Sequence, residues 1–182
     1  MDNEAHPVTI GHIDAKDRSE ASGSPAGAAT LADRQAINDA ISGLLDGIDR
    51  RDWTIVGSHL AEQVKTDYTS LFAGSPRTQT AAELVDSWRS LVPGFDATQH
   101  LTGTILADVS GDTARARCAV TAVHRIGKDC WTPSGHYEIE LLRTGSHWVI
   151  GAIVCHNVFV AGDKTLPEKA QARARGASHI ST

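Results

Sequence analysis

The chain has 182 residues, 41% of them hydrophobic and 21% charged, which is enough for one globular domain with a real core and some tail. Its net charge of −5, with nine histidines counted neutral, argues against a nucleic-acid partner, which calls for a basic face. Three cysteines (Cys118, Cys130 and Cys155) in no CxxC spacing argue against a disulfide framework or a structural zinc site and fit a reducing cytoplasm.

Residues 1–29 are polar, then small (SEASGSPAGAA), with too few apolar groups to bury, and read as a flexible tail. The first twenty carry acids where a secretion signal would be basic, and no apolar run approaches the ~20 residues that cross a bilayer, so neither export nor a membrane is expected. Order begins at Thr30, an N-cap with Asp33 in the first turn. Ile37, Ile41, Leu44, Leu45 and Ile48 then repeat at helical spacing and predict one buried stripe. A short helix follows over Asp52 to Ala61, then a strand over Val64 to Phe72 that ends in the turn Gly74-Ser75-Pro76. Thr80-Ala-Ala-Glu83 is a capping box for a third helix, whose stripe is Leu84, Val85, Trp88, Leu91 and Val92 and which Pro93 and Gly94 stop.

From there the texture becomes β-branched. Gln99 to Val109, Thr113 to Ile126, Gly135 to Arg143 and Trp148 to Val160 read as strands, separated by turns at Ser110-Gly111-Asp112, Gly127-Lys128-Asp129 and Thr144-Gly145-Ser146. Helices first and strands after predict an α+β domain over residues 30–161, with three helices on one face of an antiparallel meander. The remaining 162–182 read as a tail or a short helix.

GxGxxG, the P-loop, HExxH and GxSxG are all absent, which leaves histidines and carboxylates as the chemistry-bearing residues. Counted at 100° per residue, Asp49 falls on the flank of the first helix's apolar stripe, where a half-buried carboxylate needs a donor. The alternative is a solvated acid paired with Arg50 or Arg51. His124 interrupts an apolar strand face shared with Cys118, Val120 and Ala122, a position that more often holds a core residue than a catalyst. His100 shares its face with Thr102, Thr104 and Leu106, as suits a polar cavity, and His136 and His156 also lie on strands. No histidine pair has metal-ligand spacing, so no metal is expected.

GIDRRDW, then KTDYTSL, then ATQHLTG resembles scytalone dehydratase and its SnoaL-like relatives, over about Leu31 to Val160. The resemblance implies the cone-shaped α+β fold shared with ketosteroid isomerase and lindane dehydrochlorinase, with an internal pocket. It places the family's aspartate–histidine pair on Asp49 and His100, its pocket tyrosine on Tyr68 and its second histidine on His124. Three departures stand out. Ile48 takes the place of a second tyrosine, and Ile139 and Leu141 take those of a serine and an asparagine on the fourth strand, the serine being the group that would orient His124.

On this reading the protein is a cofactor-independent lyase of the dehydratase type acting on a small cyclic or aromatic carbonyl compound. Asp49 orients, His100 is the general base, Tyr68 polarises the carbonyl and His124 acts as acid, while Trp53, Phe72, Trp88, Trp131 and Phe159 are candidates for the apolar lining. Isomerase, polyketide cyclase and dehydrohalogenase activities remain open on the same fold, as does a binding or assembly module without catalysis. The resemblance also implies a homo-oligomer, a dimer or a trimer.

Overall fold

A computed structural model describes residues 31–178, so the tail over residues 1–29 and the Thr30 cap lie outside the described residues. The chain runs α1 (Leu31–Arg50), α2 (Trp53–Ser58), β1 (Leu60–Asp67), β2 (Arg77–Thr80), α3 (Ala81–Arg89), a 3-10 turn (Val92–Gly94), β3 (Ala97–Thr102), β4 (Leu106–Ser110), β5 (Thr113–Ile126), β6 (Asp129–Thr144), β7 (His147–Gly162) and α4 (Leu166–Ser178). This is a mixed α+β domain with one curved sheet of seven strands, in the order β2-β1-β7-β6-β5-β3, and β4 also pairs with β5.

The first helix forms where its signals put it, whereas α2 stops at Ser58, with Leu60 and Ala61 already in β1, and α3 stops at Arg89, short of Leu91 and Val92. The α1 stripe is buried as periodicity requires, with Ile37 and Ile41 at 0% exposure. Asp52 caps α2 by accepting from the Ile55 N–H, and Thr80 and Glu83 close a complete capping box on α3. A carboxylate near each end of α1 reaches the sheet. Asp33 bonds Arg143 at 2.7 Å and the Trp148 indole at 3.3 Å, and Asp49 bonds β3.

The strands differ from expectation in five places, each with a physical cause. Strand β1 ends at Asp67 rather than Phe72, because the Asp67 carboxylate accepts the Thr69 N–H at 2.9 Å and its hydroxyl at 2.7 Å and turns the chain. Strand β2 is short and polar (Arg77–Thr80), so no apolar alternation announces it. The single strand expected over Gln99 to Val109 is two strands. Thr102 faces Val120 and Leu106 faces Arg117, so one residue is extra between them and the alternation inverts: Ala107 is buried while Leu106 is 52% exposed. Strand β6 starts at Asp129, six residues before Gly135, and carries Pro133 where the β5–β6 pairing is interrupted. Finally, the sheet is not a pure antiparallel meander, since β1 lies parallel to β7.

The last helix closes the fold. Leu166 and Ala170 are fully buried against Phe95 and Trp131, Arg173 pairs with Asp96 at 2.8 Å, and Gly94 lets the helix approach. A Cβ at Gly94 would stand 1.8 Å from the Ala170 carbonyl oxygen. Gly94→Ala is therefore expected to lower unfolding stability by about 2–3 kcal/mol, read from denaturant melts, as overpacking against backbone does.

Candidate functional site

Two local features bring Asp49 to the sheet. It sits in the last turn of α1, and Arg51, with φ of 60°, ends the helix there and swings the next residues away. Strand β3 crosses beneath. Asp49 Oδ1 accepts from the Thr98 hydroxyl at 2.8 Å and from His100 Nδ1 at 2.8 Å, while Oδ2 accepts the His100 backbone N–H at 2.6 Å. The two side chains are 16% and 10% exposed. Neither neighbouring arginine competes, because Arg50 pairs with Asp46 and Arg51 bonds the Phe95 carbonyl.

Burial pushes the Asp49 carboxyl up, but the hydrogen bonds from His100 and Thr98 and the attraction of the imidazole outweigh it and hold the group below the ordinary carboxylate range. An ionised carboxylate only accepts, so Nδ1 carries the ring hydrogen and Nε2 is left as the free nitrogen.

His100 faces a cavity of about 140 Å³. Its apolar wall comes from Ile41, Leu44, Leu45 and Ile48 of α1, from Leu71 and Phe72 after β1, from Trp88, Leu91 and Val92, and from Trp131, Pro133, Ile139 and Ile153 on the sheet. Four side chains bring imidazole or phenol groups to it: His100, His124, Tyr68 and Tyr137. The volume suits one ring, since a dry apolar cavity of ~150 Å³ takes up benzene.

His124 lies beside His100, their ring centroids 5.8 Å apart and edge-on, and is packed between Phe95 at 4.8 Å and Trp131 at 4.6 Å. It is 7% exposed, and its Nδ1 has no hydrogen-bond partner among the described residues. Burial, then repulsion from His100, pushes its pKa down to about 4, so it is neutral at pH 7. Burial raises the phenols of Tyr68 and Tyr137, which stay protonated, and neither hydroxyl bonds a described residue.

Of the residues singled out in the sequence, Asp49, His100, Tyr68 and His124 come together, with Phe72, Trp88 and Trp131 in the wall. Two do not. Trp53 is half-buried against the main core and outside the cavity wall, with the Arg89 guanidinium 5.7 Å from its ring. Phe159 points outward at 56% exposure, because Val158 is one residue extra on β7 opposite Ser134 and Gly135, and the insertion exchanges the strand's faces. Sequence reasoning missed two members. Thr98 shares the ATQHLTG stretch with His100, and Tyr137 stands between Cys118 and Cys155 in the sheet register, where a tyrosine reads as core. The three cysteines are free, and burial raises the Cys118 and Cys155 thiols. Among the described residues no group of three or more His, Cys, Asp or Glu side chains converges as a metal site would require, and no helix is long and apolar enough to cross a membrane.

The SnoaL-like domain family matches residues 29–154. No curated protein matches the sequence significantly. Among solved structures, the Kfla4162 protein of Kribbella flavida superposes with a TM-score of 0.71 at 21% identity, covering 75% of this chain and 97% of that one. A Novosphingobium aromaticivorans protein provisionally named scytalone dehydratase gives 0.63 at 17% identity over 73% and 89%. The hexachlorocyclohexane dehydrochlorinase LinA-type3 of Novosphingobium barchaimii gives 0.60 at 19% identity over 73% and 91%. At these identities the likeness is one of fold.

The buried His124 makes stability depend on pH. Its folded pKa lies below the unfolded value of about 6.5, so the unfolded chain binds more protons between pH 6.5 and 4. Its contribution is complete above pH 6.5 and is lost as pH falls toward 4, by roughly 3 kcal/mol. Denaturant melts across that window are expected to show the slope, and His124→Phe is expected to flatten most of it.

Proposed function

Because the chain belongs to the SnoaL-like domain family, we propose that it is a lyase of the dehydratase type, needing no cofactor and acting on a small cyclic or aromatic carbonyl compound. One observation carries the reading: an ionised, half-buried carboxylate holds Nδ1 of His100 at 2.8 Å, on the wall of a cavity sized for a single ring.

The chemistry follows from the protonation states. His100 Nε2 takes the proton from the carbon beside the carbonyl, and Asp49 stabilises the imidazolium that forms. Negative charge then collects on the carbonyl oxygen, where Tyr68 and Tyr137 are protonated donors in a water-poor hollow. The electron pair returns to expel the β-hydroxyl, which leaves as water with the proton that His100 carries. His124, neutral at pH 7, does not serve as an imidazolium acid; it offers a neutral ring to substrate or water beside His100. One imidazole therefore does both proton transfers. Halide elimination, isomerisation and aldol cyclisation use the same first step, and substrate rather than site decides among them.

Two experiments test this. In D2O, the protein is expected to exchange the α-protons of a cyclic ketone such as cyclohexanone, and to convert a β-hydroxy cyclic ketone to the enone, followed by proton NMR and enone absorbance. His100→Ala is expected to lose about 10²- to 10⁴-fold in either rate while folding normally, as loss of a general base does. Asp49→Asn, which frees the opposite tautomer, is expected to fall by a comparable factor of about 10²- to 10⁴-fold. Undiminished turnover in His100→Ala overturns the assignment.

A further inference from the structure

Beside the ring-sized cavity lies a second hollow of about 390 Å³, and Tyr68 and Phe72 belong to the walls of both. The two hollows differ in chemistry. The first is mostly apolar, whereas the second is lined by Thr66, Thr69, Ser75 and Arg77 around the turn that follows β1.

Two unused groups stand there. Arg77 makes no side-chain hydrogen bond or ion pair with any described residue, whereas Arg143 and Arg173 hold the carboxylates of Asp33 and Asp96. Thr66 is only 6% exposed, and its hydroxyl likewise bonds none of the described residues. The residue lines the hollow, so its hydroxyl is a donor there that no described group uses. Among the described residues no acidic side chain lines the hollow. The nearest carboxylate in sequence, Asp67, is occupied by the Thr69 N–H and hydroxyl.

We propose that this hollow is a subsite for a carboxylate carried on the ring that enters the neighbouring cavity, with Arg77 and Thr66 as its donors. The proposal rests on the reading of the cavity given above and narrows the substrate class to cyclic or aromatic carbonyl compounds bearing an acidic side chain. A guanidinium presents two parallel N–H groups that match a carboxylate, and the Thr66 hydroxyl supplies a third hydrogen bond. A neutral tail gains neither. Phe72, 40% exposed and 5.8 Å from the Trp131 ring, stands where the linker between ring and acid passes.

The test uses two phenols of equal reach, 3-(4-hydroxyphenyl)propanoate and 4-propylphenol, whose hydroxyl stands in for the enol; binding is measured by calorimetry at low and high KCl. The wild-type protein is expected to prefer the acid by about tenfold at low salt, with the preference shrinking as KCl rises. Arg77→Gln is expected to erase the preference while leaving 4-propylphenol unchanged, and Thr66→Val to weaken the acid alone by about two- to threefold. Equal affinities in the wild type, or an Arg77→Gln protein that keeps the preference or weakens both ligands alike, overturn the subsite. Ile139→Trp, with Ala122→Leu as a milder second variant, fills the first cavity and separates the two readings. If filling abolishes binding of 4-propylphenol, the cavity reading stands whatever Arg77 does. If 4-propylphenol binds the filled protein unchanged, or neither phenol binds the wild type, the cavity reading falls and the subsite with it.

Discussion

The arrangement depends on one carboxylate. Asp49 stands at the C-terminal end of α1, where the helix dipole is negative and an acid is disfavoured, and it is largely removed from water. Three donors from β3, two side-chain and one backbone, offset both costs. The same contacts fix where the helix crosses the strand and which nitrogen of His100 faces the hollow. At its other end α1 is held through Asp33 to Arg143 and Trp148, sixteen residues and roughly 24 Å away along the axis. A helix anchored to the sheet at both ends, with its apolar stripe between, leaves the cavity as the space that stripe does not fill.

Strand irregularities decide what that space sees. A strand side chain changes face whenever one residue is inserted, and three insertions bear on the site. The slip between Thr102 and Leu106 lets β3 turn His100 inward while β4 turns Ala107 inward. The extra residues on β7, at the Glu140/Leu141 and Ser134/Gly135 registers, place Ile150, Ile153, Cys155 and Val160 on the buried side in turn and send Phe159 outward. Gly135 allows the second of these, since a Cβ there would lie 2.0 Å from the His156 carbonyl oxygen.

The parts of this that local sequence encodes were legible in it. The α1 stripe, the Thr80 capping box and the flank position of Asp49 follow from helical geometry within a few residues, and the hairpin glycines at 111, 127 and 145 adopt the positive φ that such turns use. What escaped was set by partners distant in sequence. The parallel pairing of β1 with β7 joins segments about ninety residues apart. The strand expected from Gly135 begins at Asp129, so the first third of β6, with Trp131 in the cavity wall and Pro133 in it, carries no strand signal of its own. Tyr137 alternates with buried residues as any core position does, and only the assembled sheet shows that its ring borders a hollow. Phe159, a candidate for the lining as an aromatic on a strand, is turned outward by the insertion at Val158, which nothing in the local sequence announces.

The electrostatics of the hollow restrict the chemistry more sharply than the residue types do. Burial keeps both phenols protonated and His124 neutral, while the anionic Asp49 stands against the His100 ring. A base that becomes a cation beside a developing enolate leaves the reacting pair neutral overall, which a low-dielectric cavity favours over any step that isolates a charge. The same restriction has a stereochemical consequence. If His100 both removes the α-proton and supplies the proton that leaves with the β-substituent, both bonds must break on the face of the ring turned toward β3. Elimination by that route is then syn, with the α-proton and the leaving group on one face of the ring.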